Sequence, residues 1–259
     1  MADATYSDTY EGVHQVLERL LGPDGCPWDK KQTRESLTDM FLEECYELVE
    51  AIEEGDTGKI VEELGDVLFH VMFQMKLGED SGEFTQDVVL GGLVDKLVRR
   101  HTHVFGDESA SGPDDAIANW DAVKRQERAE SGGSILDGVP KNMPALAYAQ
   151  AVQGRAERAG FDWDSFQGVL DKVTEELAEI EAAGSDEERE KELGDLLFSV
   201  VNAARWMGID SEASLRGTNR RFYQRYTIME RLSRERGVAF DALTIDAKEA
   251  LWQEAKANS

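Results

Sequence analysis

Positive charge is what this 259-residue chain has least of: 28 Lys and Arg stand against 53 Asp and Glu, a formal net charge of −25 at pH 7. Such a chain repels nucleic acid and anionic membrane surfaces, which argues against either as a partner. A polyphosphate can still be held, but only with a cation to bridge the two like charges. Cysteine is nearly absent as well. Cys26 and Cys45 offer neither zinc spacing nor a disulfide framework, and they suit a reducing compartment. No apolar run reaches membrane length, the longest being interrupted by His70 or Ser199. The opening residues, MADATYSDTYEG, carry neither the basic nor the apolar region of a signal peptide, so a cytoplasmic location is expected. There is no alternating strand pattern, no Gly-rich loop ending in Lys-Ser/Thr and no motif around a Ser or Cys nucleophile. A nucleotide would therefore have to be held through metal.

What is present is helical periodicity, and it repeats. Leu37, Phe41, Cys45, Leu48 and Ile52 form one apolar stripe, and Leu64, Val67, Leu68, Val71 and Met75 form the next. A further helix around Gln86 to Arg100 contributes Val89, Leu93, Val94 and Leu97, and another lies near Leu17. After Ser131-Gly132-Gly133-Ser134 and the prolines Pro140 and Pro144, the pattern resumes. There Val169, Val173, Leu177 and Ile180 make one stripe, and Leu193, Leu196, Leu197 and Val200 make its partner. The expected fold is all-α: two tandem four-helix-bundle-like domains, residues 1–130 and 145–259, joined by a linker at 131–144.

Within the repeat sits an acidic signature. Glu43-Glu44-x-x-Glu47 precedes Glu63-x-x-Asp66, and Glu175-Glu176-x-x-Glu179 precedes Glu192-x-x-Asp195. Residues three or four apart share a helix face. In an antiparallel hairpin Glu44 opposes Asp66 and Glu47 opposes Glu63, with Gly55 at the midpoint. The second midpoint falls between Ser185 and Asp186, directly after Gly184, and Ser185-x-x-Glu188 can cap the returning helix. Four carboxylates converging between helices about 8–10 Å apart suit a hard cation, Mg²⁺ or Mn²⁺, rather than Zn²⁺. A lone Glu-x-x-Asp is as often a solvated face; the duplication and the turn-centred pairing argue for the site. Four like charges without a cation would repel.

Basic residues that could take up phosphate charge are Lys96, Arg99 and Arg100, with Arg221 and Arg225 at the matching place in the second half. Each is equally suited to pairing with neighbouring carboxylates. Trp28 and Trp163 can stack on a base, although a core position is the more frequent fate of a tryptophan. His70 is matched by Ser199 in the repeat and reads as structural, and His101-Thr102-His103 is a weak metal signal.

At these residues the chain resembles the MazG family of nucleoside triphosphate pyrophosphohydrolases in its two-domain form. The resemblance extends through Gly25-Cys26-Pro27-Trp28-Asp29, Lys96-Leu97-x-Arg99-Arg100-His101, Leu136-Asp137-Gly138-Val139-Pro140, Gly160-Phe161-Asp162-Trp163, Asn219-x-Arg221-Phe222 and Leu251-Trp252. It implies Mg²⁺-dependent cleavage of NTPs and dNTPs to NMP and pyrophosphate by a homodimer with a housecleaning role. By motif, Glu44, Glu47, Glu63 and Asp66 would bind metal in the first domain, and Glu176, Glu179, Glu192 and Asp195 in the second. Glu43 and Glu175 match the leading glutamate, which could hold a second metal or orient water. Arg221 and Arg225 match the basic residues that contact phosphate, Arg221 standing in for a lysine. The competing readings are a non-catalytic acidic metal- or nucleotide-binding module, and a pyrophosphatase restricted to one base such as dUTP.

Overall fold

The structure, a computed structural model, describes residues 6–258, the side chains of 128–131 excepted. The first five residues of the N-terminal stretch read above lie outside them. All regular structure among the described residues is helical. The chain divides into two compact units at Lys124–Arg125.

The first unit holds α1 (Tyr10–Leu21), α2 (Thr38–Glu54), α3 (Thr57–Asp80), α4 (Gln86–Arg100) and the short α5 (Thr102–Phe105). The division falls within α6 (Pro113–Ser131). Helices α2 and α3 form an antiparallel hairpin with almost no loop. Gly55 ends α2 in the left-handed conformation (φ 71°), which a residue bearing a Cβ adopts at a cost. Asp56 then caps α3, its carboxylate accepting from Gly58 N at 2.9 Å and Lys59 N at 3.2 Å; such a cap contributes about 1 kcal/mol. Leu17, Leu37, Met72, Phe73 and Met75 make the core where α1 crosses α3. Phe69 meets Phe73 edge-to-face with centroids 5.7 Å apart.

The second unit holds α7 (Ala145–Arg158), α8 (Phe166–Ala182), α9 (Asp186–Trp206), α10 (Ser211–Glu235) and α11 (Ile245–Ala257). Helices α8 and α9 repeat the hairpin, α7 lies along α9, and α10 packs on α11 through Met229, Leu251 and Ala255. The turn differs from a reciprocal capping box. Ser185 Oγ accepts from Glu188 N (3.1 Å), but Glu188 Oε2 accepts from Gly184 N (2.8 Å) instead of from Ser185. Ahead of α7, the segment that reads as linker is fastened down. Arg155 donates to the carbonyls of Leu136 (3.1 Å), Asp137 (2.6 Å) and Gly138 (3.2 Å), and Val139 is buried.

The interior is smaller than the apolar stripes imply. Ile52, Leu64, Leu68 and Val71 are exposed, as are Val89, Leu93, Val94 and Leu97 along α4. In the second unit Leu177, Leu193, Leu197 and Val200 are exposed too. The physical reason is geometric: one neighbouring helix covers about a third of a helix's circumference, and these apolar faces are wider than the neighbours within a single chain can cover.

Candidate metal centre

The two hairpins bring the acidic signatures together. Oxygen atoms of Glu44, Glu63 and Asp66 lie within 4.8 Å of one another in the first unit, and those of Glu176, Glu179 and Glu192 do so in the second. Each group needs both helices, because α2 and α8 supply the first glutamates and α3 and α9 return the rest. Glu47 and Asp195, expected as fourth members, stand outside these sets. Glu43 is exposed.

The electrostatics of the two clusters differ. Burial, then the nearby charges of Asp66, Glu47 and Glu43, pushes the Glu44 carboxyl above its ordinary range. Burial and then Glu47, Asp66 and Glu44 do the same to Glu63. Among the described residues no lysine or arginine pairs with Glu44, Glu63 or Asp66. In the second unit Lys172 reaches Glu176 at 2.6 Å and Glu175 at 2.9 Å, and Lys191 reaches Glu192 at 2.9 Å and Asp195 at 3.4 Å. Hydrogen bonds to Glu176 and then Glu175 hold the Lys172 ammonium well above the usual lysine range. Burial and the charges of Glu176 and Glu192 push Glu179 upward, and Lys172 works against that shift.

One atom bears directly on cation binding. Glu176 is only 3 % exposed, and its Oε2 is buried without a hydrogen-bond partner. An orphaned carboxylate oxygen costs about 1–3 kcal/mol or more unless something positive meets it. An all-oxygen donor set of this kind fits a hard divalent cation.

The other site candidates are distributed around the two hairpins. Lys96, Arg99 and Arg100 occupy the last turns of α4, which packs on α3. On α10, Arg221 donates to Thr218 Oγ1 (2.9 Å), and the Arg225 guanidinium lies 5.7 Å from the centre of the Trp252 ring. Trp28 and Trp163 are not core residues: they are 51 % and 45 % exposed. Each lies in the stretch that precedes its acidic helix. His70 is buried between Phe41 and Phe69, with centroids at 5.9 and 6.0 Å, and burial lowers its pKa. Lys172 was missed on sequence, although its spacing of three and four to Glu175 and Glu176 could have flagged it.

Similarity to known proteins agrees with this geometry. Residues 32–105, which span the first hairpin, match the MazG nucleotide pyrophosphohydrolase domain. The chain is 40 % identical over 247 residues to the nucleoside triphosphate pyrophosphohydrolase/pyrophosphatase MazG of Thermotoga maritima, covering 95 % of each. It is 38 % identical over 248 residues to the nucleoside triphosphate pyrophosphohydrolase of Escherichia coli K12, covering 93 % of this chain and 94 % of that one. It is also 44 % identical over 251 residues to the uncharacterized protein YabN of Bacillus subtilis, of which it spans 51 %.

Proposed function

Since the chain belongs to the MazG family, we propose that it is a nucleoside triphosphate pyrophosphohydrolase that cleaves NTPs and dNTPs to NMP and pyrophosphate. The observation that carries this reading is the pair of interhelical carboxylate clusters, one of them with a buried oxygen that lacks any partner. In a chain of net charge −25, a triphosphate can dock only where a cation mediates.

Glu44, Glu63 and Asp66 would hold the cation in the first unit, with Glu47 beside them. Glu176, Glu179 and Glu192 would hold it in the second, with Asp195 beside them. A divalent cation bound there, Mg²⁺ in our reading, neutralises triphosphate charge and acidifies a coordinated water. Glu43 and Glu175, adjacent in sequence to the metal-holding glutamates, would orient a water or hold a second metal. Lys96, Arg99 and Arg100 in one unit, and Arg221 and Arg225 in the other, would take up charge on the departing pyrophosphate. We further propose a homodimer, which the exposed apolar faces of α3, α4 and α9 support. A cytoplasmic, pool-cleaning role fits the two free cysteines and the absence, among the described residues, of a helix long and apolar enough to cross a membrane. The boundaries 1–130, 131–144 and 145–259 are our reading of the duplication.

The test is pyrophosphate release from a panel of standard and damaged NTPs, with Mg²⁺ and with EDTA. Metal-dependent release across many bases is expected. Release from one base alone would convert the assignment to a specialised pyrophosphatase, and none at all would favour a binding module.

A further inference from the structure

The two carboxylate clusters share a signature but not its surroundings. Aligning Glu43-Glu44 with Glu175-Glu176 sets Met40 against Lys172, and aligning Glu63-x-x-Asp66 with Glu192-x-x-Asp195 sets Glu62 against Lys191. At both places where the second signature carries a cation, the first carries none. We propose that the clusters load in sequence. The first holds its divalent ion in the resting protein; the second, part-neutralised by Lys172 and Lys191, fills at higher concentration and chiefly together with the triphosphate. The proposal rests on the pyrophosphohydrolase reading above.

Lys172 carries most of the difference. Its ammonium lies 2.6 Å from Glu176 and 2.9 Å from Glu175, and Glu176 is only 3 % exposed, so solvent screens the first pair poorly. The lysine takes one oxygen of Glu176, Oε1, and leaves Oε2 buried without a partner. It therefore half-satisfies this carboxylate: the ion pair lowers the gain from a divalent ion, and the orphaned oxygen keeps a place for one. Lys191 works from outside. It lies 2.9 Å from Glu192 and 3.4 Å from Asp195, but its side chain is 70 % exposed, so its share is smaller. Each lysine pairs with carboxylates of its own helix, so neither ties α8 to α9, and both pairs can be given up without opening the hairpin.

Charge sets the size of the effect. Lys172 and Lys191 cancel two of the five acidic charges of the second signature, whereas Glu62 adds one to the first. A unit charge about 6 Å from a divalent ion changes its affinity by about tenfold at water-like screening, so the clusters should differ by at least about tenfold. A cation entering the second cluster also takes Glu176 from Lys172, and that ammonium then lacks a counter-charge until an anion arrives. The triphosphate supplies one. Such coupling is reciprocal, so cation and triphosphate each tighten the other there. In the first cluster, where no lysine or arginine among the described residues pairs with Glu44, Glu63 or Asp66, that source of coupling is missing.

The experiment is Mn²⁺ binding to the metal-stripped full chain, followed by electron paramagnetic resonance, without and with an uncleavable α,β-methylene triphosphate. Two classes of site are expected, at least about tenfold apart; Glu63→Gln should remove the tighter and Glu176→Gln the weaker. The analogue should tighten the weaker class by about tenfold or more. Lys172→Met combined with Lys191→Glu, which installs the first unit's residues, should bring the classes together without nucleotide and shrink the analogue's effect. Glu62→Lys, at an exposed position, should loosen the tighter class by about threefold or more, and it serves if the double variant does not fold. Equal affinity of the two classes in the wild type, or an unchanged gap in these variants, would overturn the proposal. So would an analogue that tightens both classes alike. Failure of the wild type to release pyrophosphate would sink the activity reading alone, because none of these titrations needs turnover.

Discussion

Replacing Glu176 by Gln should weaken metal binding while changing the metal-free fold little, because the lost ion pair with Lys172 at 2.6 Å is offset by relief of repulsion among the carboxylates. The two shapes match, so packing around the buried side chain is kept. In the metal-free chain, Glu176 is one of the charges that push the Glu179 carboxyl upward, and an amide removes that repulsion. The cost falls on the bound state. A unit charge about 4 Å from a divalent ion is worth about 2 kcal/mol at water-like screening and about 8 kcal/mol at an effective dielectric constant near 20. Even the lower figure is a loss of roughly thirtyfold in affinity. Calorimetric titration with Mn²⁺ or Mg²⁺ should see one tight site per chain disappear, while the cluster of Glu44, Glu63 and Asp66 remains as an internal reference. Thermal denaturation without metal checks the other half. Affinity at the second site within threefold of wild type would refute the assignment of Glu176 as a ligand. A lower metal-free melting temperature with metal binding intact would show that the side chain is structural.

Lys172→Met installs the residue found at the equivalent place in the first unit, Met40. Removing the internal cation should tighten metal binding at the second cluster by about tenfold and lower the metal-free melting temperature, read by the same titration and melt. Arg205→Met leaves Asp162 and Glu157 without their partner; the second unit should lose about 2–3 kcal/mol, seen as a calorimetric transition lowered by about 6–12 °C. His70 has a folded-state pKa below its ordinary value because of burial. The unfolded chain therefore binds the proton more readily, and stability falls as pH drops below about 6.5 toward the folded-state pKa. The urea midpoint of the wild type should fall more between pH 7.5 and pH 5.5 than that of His70→Phe; equal falls would exclude His70 as the cause.

Local chemistry was legible in the sequence and partnership was not. Gly55 marked the first hairpin because no other residue type adopts its positive φ as cheaply, and the range Gln86–Arg100 followed directly from periodicity. The carboxylates that meet could be counted from that turn. Equal height across a hairpin, however, does not fix how far each side chain reaches, which is why Glu47 and Asp195 fall outside the closest sets. The apolar stripes were correct as stripes. Periodicity marks the face of a helix that seeks apolar contact and says nothing of whether the contact belongs to the same chain, so Leu64, Leu93 and Leu193 were misplaced in the interior. The repulsion expected of the second cluster is relieved by Lys172 and Lys191, which a count of acidic residues does not reveal.

The grip of Arg155 on the carbonyls of Leu136, Asp137 and Gly138 changes where this chain can be cut. Read as composition, residues 131–144 invite a protease or a truncation anywhere along their length. Fastened to α7, the later part of that stretch is a wall of the second unit, and Leu136 lines a cavity of about 460 Å³ there. An excised fragment beginning at Ala145 would keep α7 to α11 and leave Arg155 without the three carbonyls it holds. One beginning ahead of Ser134 would carry the wall with it.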